Sequence, residues 1–176
     1  KGNLMSSVGM LIAVLTVLFE KGTLAGGLKG YLFIAVGILV GGAIGAVWSK
    51  KVEMTGMPEL VALFNGFGCL SSMLVALAQF VTQEKSDPFT AVTLGLTIAI
   101  GAVAFVGSLI ALGKLSGKMF TKFGTLPGKN AINATLCVIG LAAILLYAFS
   151  PAASTLGLIG IIVTTVVFLI VGFTLV

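Results

Sequence analysis

Apolar residues occupy six long runs along the chain, and charged residues are concentrated in the short segments between them. The runs without any charge cover residues 3–19, 31–49, 60–82, 89–113, 131–149 and 155–176. A helix of about 17–25 apolar residues crosses a hydrocarbon core of roughly 30 Å, because each residue adds about 1.5 Å. The pattern predicts six transmembrane helices with short loops, over residues 3–19, 31–49, 58–82, 89–113, 131–149 and 155–176.

The composition excludes a soluble globular domain. Hydrophobic residues make up 59% of the chain and charged residues 9%, and the mean hydropathy is +1.23. A soluble domain has about 25% charged residues, so this chain has too few to cover a surface in water. The runs also lack the alternation that is typical of barrel strands. We therefore predict an all-α integral membrane protein, with a single transmembrane domain over residues 1–176.

The basic residues predict the orientation in the membrane. Six helices divide the ten lysines into seven on one side and three on the other. The two groups are Lys1, Lys50, Lys51, Lys114, Lys118, Lys122 and Lys129, against Lys21, Lys29 and Lys85. The positive-inside rule places the first group and both termini in the cytoplasm or its equivalent. The lysines are therefore interpreted as orientation signals beside the lipid bilayer, not as a nucleic-acid site.

The longest loop, residues 114–130, contains four of these lysines. It is interpreted either as a topology signal alone or as a docking surface for a soluble partner or anionic headgroups.

No motif for soluble catalysis or metal binding is present. The chain has no His, and it lacks a Walker loop, a nucleophile elbow and a dinucleotide fingerprint. Cys69 and Cys137 lie inside apolar runs, where small packing residues are expected rather than metal ligands or a disulfide. We expect no catalytic residue, metal or bound cofactor in this chain. Because it begins at Lys1 rather than Met, we also expect a piece of a longer or processed protein.

The third helix carries polar residues at every seventh position. Asn65, Ser72 and Gln79 drift only about 20° per step around a helix of about 3.6 residues per turn. The small residues on the same stripe are Ala62, Cys69 and Ala76. Polar side chains in hydrocarbon usually face the bundle interior or water. The stripe is therefore either a hydrogen-bonded contact between helices or part of a pathway.

Two neighbouring helices carry comparable stripes. Their members are Thr93, Thr97, Gly101, Ala104 and Ser108 in the fourth helix, and Asn133, Cys137 and Gly140 in the fifth. If the stripes face one another, they form a hydrated seam without charges. Such a seam suits the passage of protons better than the stable binding of an ion. The candidate pathway residues are Asn65, Ser72, Ser108 and Asn133.

Glycines four residues apart mark the second helix. Gly37, Gly41 and Gly45 form an extended G-x-x-x-G series, which lets another backbone approach closely. Helix packing is the predicted role.

Several segments resemble the beta subunit of the proton-translocating NAD(P) transhydrogenase family. The most specific is KKVEMTGMPELVA at residues 50–62, beside GGAIGAVWSKK at 41–51, GSLIALGKLSGK at 107–118 and LPGKNAIN at 126–133. GNLMSSVGMLIAVLT at residues 2–16 is also similar. The segments follow in order over nearly the whole chain.

The resemblance implies the membrane domain of a Re/Si-specific transhydrogenase. Soluble domains elsewhere in such an enzyme bind NAD(H) and NADP(H) and pass hydride between them, while the membrane domain couples this transfer to proton movement. The implied partners are alpha-subunit transmembrane helices, the soluble NAD(H)- and NADP(H)-binding domains, and a second complete unit in a homodimer. The implied location is the bacterial inner membrane, or the mitochondrial inner membrane in a eukaryote.

One position departs from the family pattern. The family's third helix commonly reads ELVAxxHS, with a His assigned to the proton path, whereas this chain has Asn65 there. An amide does not titrate near neutral pH, unlike His with a pKa of about 6.5. We hypothesise that Asn65 keeps the path position while a titratable group on another helix or subunit switches the proton. The resemblance also maps a family serine onto Ser108.

Two other classes of function remain open from the sequence. A secondary transporter for a small solute would place its site at broken helices near the midplane. A membrane scaffold subunit would only anchor its partners.

Overall fold

The computed structural model describes residues 2–20, 26–82, 87–117, 128–150 and 155–175, and every regular element in them is helical. The described residues form six α-helices, with one short 3₁₀ turn at Met54–Gly56. The helices are α1 (Gly2–Leu18), α2 (Gly27–Lys51), α3 (Met57–Thr82), α4 (Pro88–Leu115), α5 (Lys129–Phe149) and α6 (Thr155–Leu175). The bounds differ from the predicted ones by at most a few residues. The all-α prediction is therefore confirmed for the part of the chain described.

Five of these helices are long and apolar enough to cross a membrane, namely α2 to α6. α1 is also apolar, but it has 17 residues and falls in a shorter class. The predicted orientation depends on lysines of which Lys1, Lys21, Lys85, Lys118 and Lys122 lie outside the described residues. Most of the loop at residues 114–130 lies outside them as well.

The helix ends follow from local sequence. Asp87 caps α4 by accepting a hydrogen bond from the Thr90 amide, and Pro88 in the first turn has no N–H to satisfy. Pro58 lies in the first turn of α3, where its missing N–H costs no helical hydrogen bond. Gly128 has φ +79° just before α5, a conformation that glycine adopts without a steric penalty.

The chain divides into two compact units, residues 1–52 and 53–176. The first unit contains α1 and α2, and the Tyr31 hydroxyl donates a hydrogen bond of 3.1 Å to the Leu18 carbonyl there. Whether the two units form the predicted single domain stays a prediction.

The second unit is organised around α4, which contacts α3, α5 and α6. Ile98 and Ala102 of α4 are fully buried, and Ile144 of α5 and Val171 of α6 are almost so. Glycines allow the helices to approach closely. A Cβ on Gly160 of α6, for example, would lie 2.9 Å from the Ala143 carbonyl oxygen of α5. Because α4 touches three neighbours, it is the most buried of the described membrane-length helices.

Candidate functional site

Asn65 of α3 and Ser108 of α4 are hydrogen-bonded to each other. The Asn65 Nδ2 donates to the Ser108 Oγ at 2.8 Å. Asn65 lies eight residues into α3, roughly 12 Å from its start at about 1.5 Å per residue. The pair therefore joins two spans inside their apolar stretches. Two of the residues predicted for the pathway are in direct contact.

Glycines bring the two helices together at this point. A Cβ on Gly66 would lie 3.1 Å from the Ser108 Cβ, and a Cβ on Gly101 would lie 2.9 Å from the Cys69 carbonyl oxygen. A side chain at either position would force α3 and α4 apart, and at Gly66 it would lengthen the Asn65–Ser108 hydrogen bond. The close approach therefore favours the hydrogen bond.

The buried face of α3 lies beside the polar residues of the predicted stripe, although Ala76 of that stripe is also buried. Gly66, Met73 and Ala76 are buried against the bundle, and Ser108, opposite Gly66, is 9% exposed. Asn65 lies one residue from Gly66, about 100° around the helix, and its side chain reaches Ser108 from the edge of the contact. The rest of Asn65 is exposed on the surface of this unit.

An exposed stripe continues along α3 from Asn65. Its members are Asn65, Gly68, Ser72, Val75, Gln79 and Thr82, at alternating steps of three and four residues. A Cβ on Gly68 would meet no described atom within 4 Å, so this part of the stripe forms an open notch. The spacing is that of a seam between two packed helices. Within the second unit, no described element covers it.

Ser72 is on this exposed stripe, and its hydroxyl donates to the Gly68 carbonyl of its own helix at 3.2 Å. The structure thus does not bring Ser72 to Ser108. Thr93 and Thr97 of α4 likewise donate to carbonyls one turn earlier, those of Phe89 and Thr93. Such back-bonds satisfy a hydroxyl inside an apolar span without another helix. The pathway role predicted for Ser72 stays a prediction.

Asn133 is paired with a residue that the sequence analysis did not select. It lies in the first turns of α5 and is 7% exposed, and its Oδ1 accepts a hydrogen bond from the Thr174 hydroxyl of α6. Thr174 stands alone near the end of its helix, so no periodic stripe singles it out. The sequence signal that could have found Thr174 is its position. It is a polar residue in the last turn of one apolar helix, and the antiparallel neighbouring helix has a polar residue in its first turns.

The two polar pairs lie in different helix contacts. Asn65 and Ser108 join α3 to α4, whereas Asn133 and Thr174 join α5 to α6. All four groups are neutral hydrogen-bonding groups at ordinary pH. They can orient a water or a neighbouring donor, but none of them stores a proton.

The cysteines and glycines with predicted packing roles lie at apolar surfaces. Cys69 and Cys137 are free thiols, and Cys137 lines an apolar groove of about 330 Å³ between α4, α5 and α6. Among the described residues, no cluster of ligating side chains could hold a metal ion.

A Cβ on Gly37, Gly41 or Gly45 would meet no described atom within 4 Å, so their packing role stays a prediction.

Five long apolar helices, four of them joined in pairs by hydrogen bonds between neutral side chains, define an α-helical membrane domain. The chain belongs to the NAD(P) transhydrogenase beta subunit family, whose model matches residues 1–176. It is similar to the NAD(P) transhydrogenase subunit beta of Rhodospirillum rubrum, with 39% identity over 134 residues. The match covers 72% of this chain and 28% of that relative. A second sequence, from a named strain of the same species, gives the same values. The predicted family is therefore confirmed.

Proposed function

We propose that this chain is the membrane part of a proton-translocating NAD(P) transhydrogenase. In the proposal, hydride passes between NADH and NADP⁺ on soluble domains outside this chain, and α3 and α4 carry part of the proton route. The observation that supports it best is the Asn65–Ser108 hydrogen bond, since it places neutral polar groups between two membrane spans.

The exposed side of Asn65 supports a further helix at this position. Polar side chains in a membrane rarely face lipid, and they usually meet a bundle interior or a water-filled cavity. Asn65, Ser72 and Gln79 are exposed on one face of α3 in this unit. We propose that a helix from elsewhere in the enzyme covers this face and carries the titratable group. Asn65 would then orient a water or that group, and Ser108 would fix the amide.

The remaining features of the enzyme follow in the same proposal. NAD(H) and NADP(H) are bound by soluble domains, alpha-subunit helices pack beside this chain, and two complete units form a dimer. We place the chain in the bacterial inner membrane, or in the mitochondrial inner membrane of a eukaryote, with both termini on the cytoplasmic or matrix side. α1 serves as the sixth span, because a membrane adapts to a short helix by local thinning.

The test is Asn65→Leu in the assembled enzyme, reconstituted in vesicles. Leucine is similar in size but can neither donate to Ser108 nor hold a water. We expect proton uptake coupled to reduction of an NAD analogue by NADPH to fall at least about tenfold, while uncoupled nucleotide exchange stays largely intact. Phe64→Leu is the matched control, since it places the same side chain at a half-exposed neighbouring position.

The same vesicles separate this proposal from the other two functions. A solute transporter would move its substrate without the nucleotide-binding partners, and a scaffold would leave proton movement unchanged when it is mutated. Unaltered proton uptake in Asn65→Leu would remove Asn65 from the route. Absence of proton uptake in the unmodified enzyme would remove the proposed function itself.

A further inference from the structure

The two polar pairs lie at nearly the same depth, although different helices form them. A Cβ on Gly172 of α6 would lie 2.9 Å from the Val103 carbonyl oxygen and 3.0 Å from the Val106 Cβ of α4. α4 and α6 each pack antiparallel to α5, so they run in the same direction. Thr174 follows Gly172 by two residues, about 3 Å along the axis, and Ser108 follows Val106 by two residues and Val103 by five, about 3 to 7.5 Å. The two hydrogen bonds therefore lie within about one helical turn of each other along the axis.

α4 lies between the two pairs. At about 100° per residue, Ser108 is displaced by about 140° from Val103 and by about 200° from Val106. Gly172 thus packs against one side of α4 while Asn65 bonds to the other side. Because no side chain separates Gly172 from the α4 backbone, a shift of the α6 end is passed to α4 directly.

The Thr174 hydroxyl has a single proton with which it can link the end of α6 to α5. Its hydroxyl is within hydrogen-bond distance of the Asn133 Oδ1, and also of the Ile170 and Val171 carbonyl oxygens at 3.1 and 3.2 Å. A hydroxyl has one proton to donate, so it either bonds to α5 or bonds back to α6. With the back-bond, the link survives only if Asn133 turns its own N–H toward the Thr174 oxygen. The Thr174 hydroxyl therefore has alternative acceptors, one on α5 and two on its own helix.

We propose that Thr174 is a positioning residue for the proton step, which acts through Gly172 and α4 on the Asn65–Ser108 pair. When Thr174 bonds to Asn133, the end of α6 is fixed and Ser108 lies within reach of the Asn65 amide. When the bond to Asn133 is lost, α6 moves against Val103 and Val106, and Ser108 moves with α4. This inference rests on the proposed function.

The experiment is Thr174→Val in the assembled enzyme in vesicles, with proton uptake and hydride transfer measured together. Valine keeps the shape of threonine and removes the hydroxyl. We expect the number of protons taken up per hydride transferred to fall about threefold to tenfold, in the range of coupling through packed elements. Thr174→Ser restores the hydroxyl, so we expect the ratio of the unmodified enzyme. A ratio unchanged in Thr174→Val overturns the inference.

The matched control is Thr165→Val, the same substitution in the same helix. The Thr165 hydroxyl donates to the Ile161 carbonyl of its own helix at 2.8 Å, so its loss should leave the ratio unchanged. An equal fall in both variants would show a general effect of threonine loss and would overturn the inference. Should Thr174→Val not accumulate in the membrane, Thr174→Ala also removes the hydroxyl, and the same two results decide.

A double-mutant cycle tests the route through α4. If Thr174 acts through Ser108, Ser108→Ala and Thr174→Val should each lower the ratio, and the double variant should be little worse than either. Multiplied effects would mean that the two pairs act independently, which contradicts the inference. No proton uptake in the unmodified enzyme would instead refute the proposed function.

Discussion

Gly66 of α3 faces Ser108 of α4 so closely that a Cβ on the glycine would lie 3.1 Å from the serine Cβ. The residue before this glycine donates the hydrogen bond to the same serine. Sequence neighbours thus supply the space and the donor for one contact, which couples helix packing to the polar site.

Gly66→Ala should therefore weaken the polar pair as well as the packing. The alanine methyl forces Ser108 away by a few tenths of an ångström. Overpacking of this kind costs about 1–3 kcal/mol, against a gain of about 1 kcal/mol in helix propensity. We expect lower resistance to unfolding in detergent than for Gly68→Ala, where the new methyl meets no described atom within 4 Å. Equal stability of the two variants would contradict the close approach.

Ser108→Ala removes the acceptor of the Asn65 hydrogen bond. Hydrogen bonds between membrane helices contribute about 0.6–2 kcal/mol, so a loss of that order in unfolding free energy is expected. Ser72→Ala is the comparison, because the Ser72 hydroxyl donates only within α3 in this unit and its loss should cost less than about 0.5 kcal/mol. If Ser72→Ala nevertheless lowers proton uptake in the assembled enzyme, the predicted pathway role of Ser72 is supported independently of stability.

Asp87 should make the start of α4 sensitive to acid. Hydrogen bonds from the Thr90 side chain and amide lower the pKa of the Asp87 carboxyl below its ordinary value. A depressed folded-state pKa contributes stability above the unfolded value of about 3.9, and that contribution is lost as the pH falls through the folded-state pKa. In hydrogen exchange, the protection factor of the Thr90 amide should therefore decrease when the pH is lowered below about 4.

Asp87→Asn provides the control for this effect. Asparagine caps a helix about as well as aspartate but does not titrate. In this variant, the protection factor of the Thr90 amide should therefore stay constant over the same pH range. A parallel fall in both proteins would place the acid sensitivity elsewhere.

The seven-residue spacing on α3 was a useful but incomplete guide to the site. It selected Asn65, which pairs with Ser108, and also Ser72, whose hydroxyl bonds back to its own helix. The buried seam runs through Gly66 and Met73, each about 100° around the helix from a polar residue of the stripe, and through Ala76, about 40–60° from Ser72 and Gln79. Spacing shows which residues share a face, but the face that meets α4 depends on how the glycines of both helices fit together.

The lengths of the apolar runs by themselves determined the helical class and the helix ends to within a few residues. This is possible because a helix in lipid must satisfy its own backbone, so local sequence and bilayer thickness are sufficient. The tertiary structure alone decided that Ser108 meets Asn65 and that Thr174 meets Asn133. Such pairs join residues about 40 positions apart, and they depend on the rotation and approach of whole helices, which no local pattern encodes.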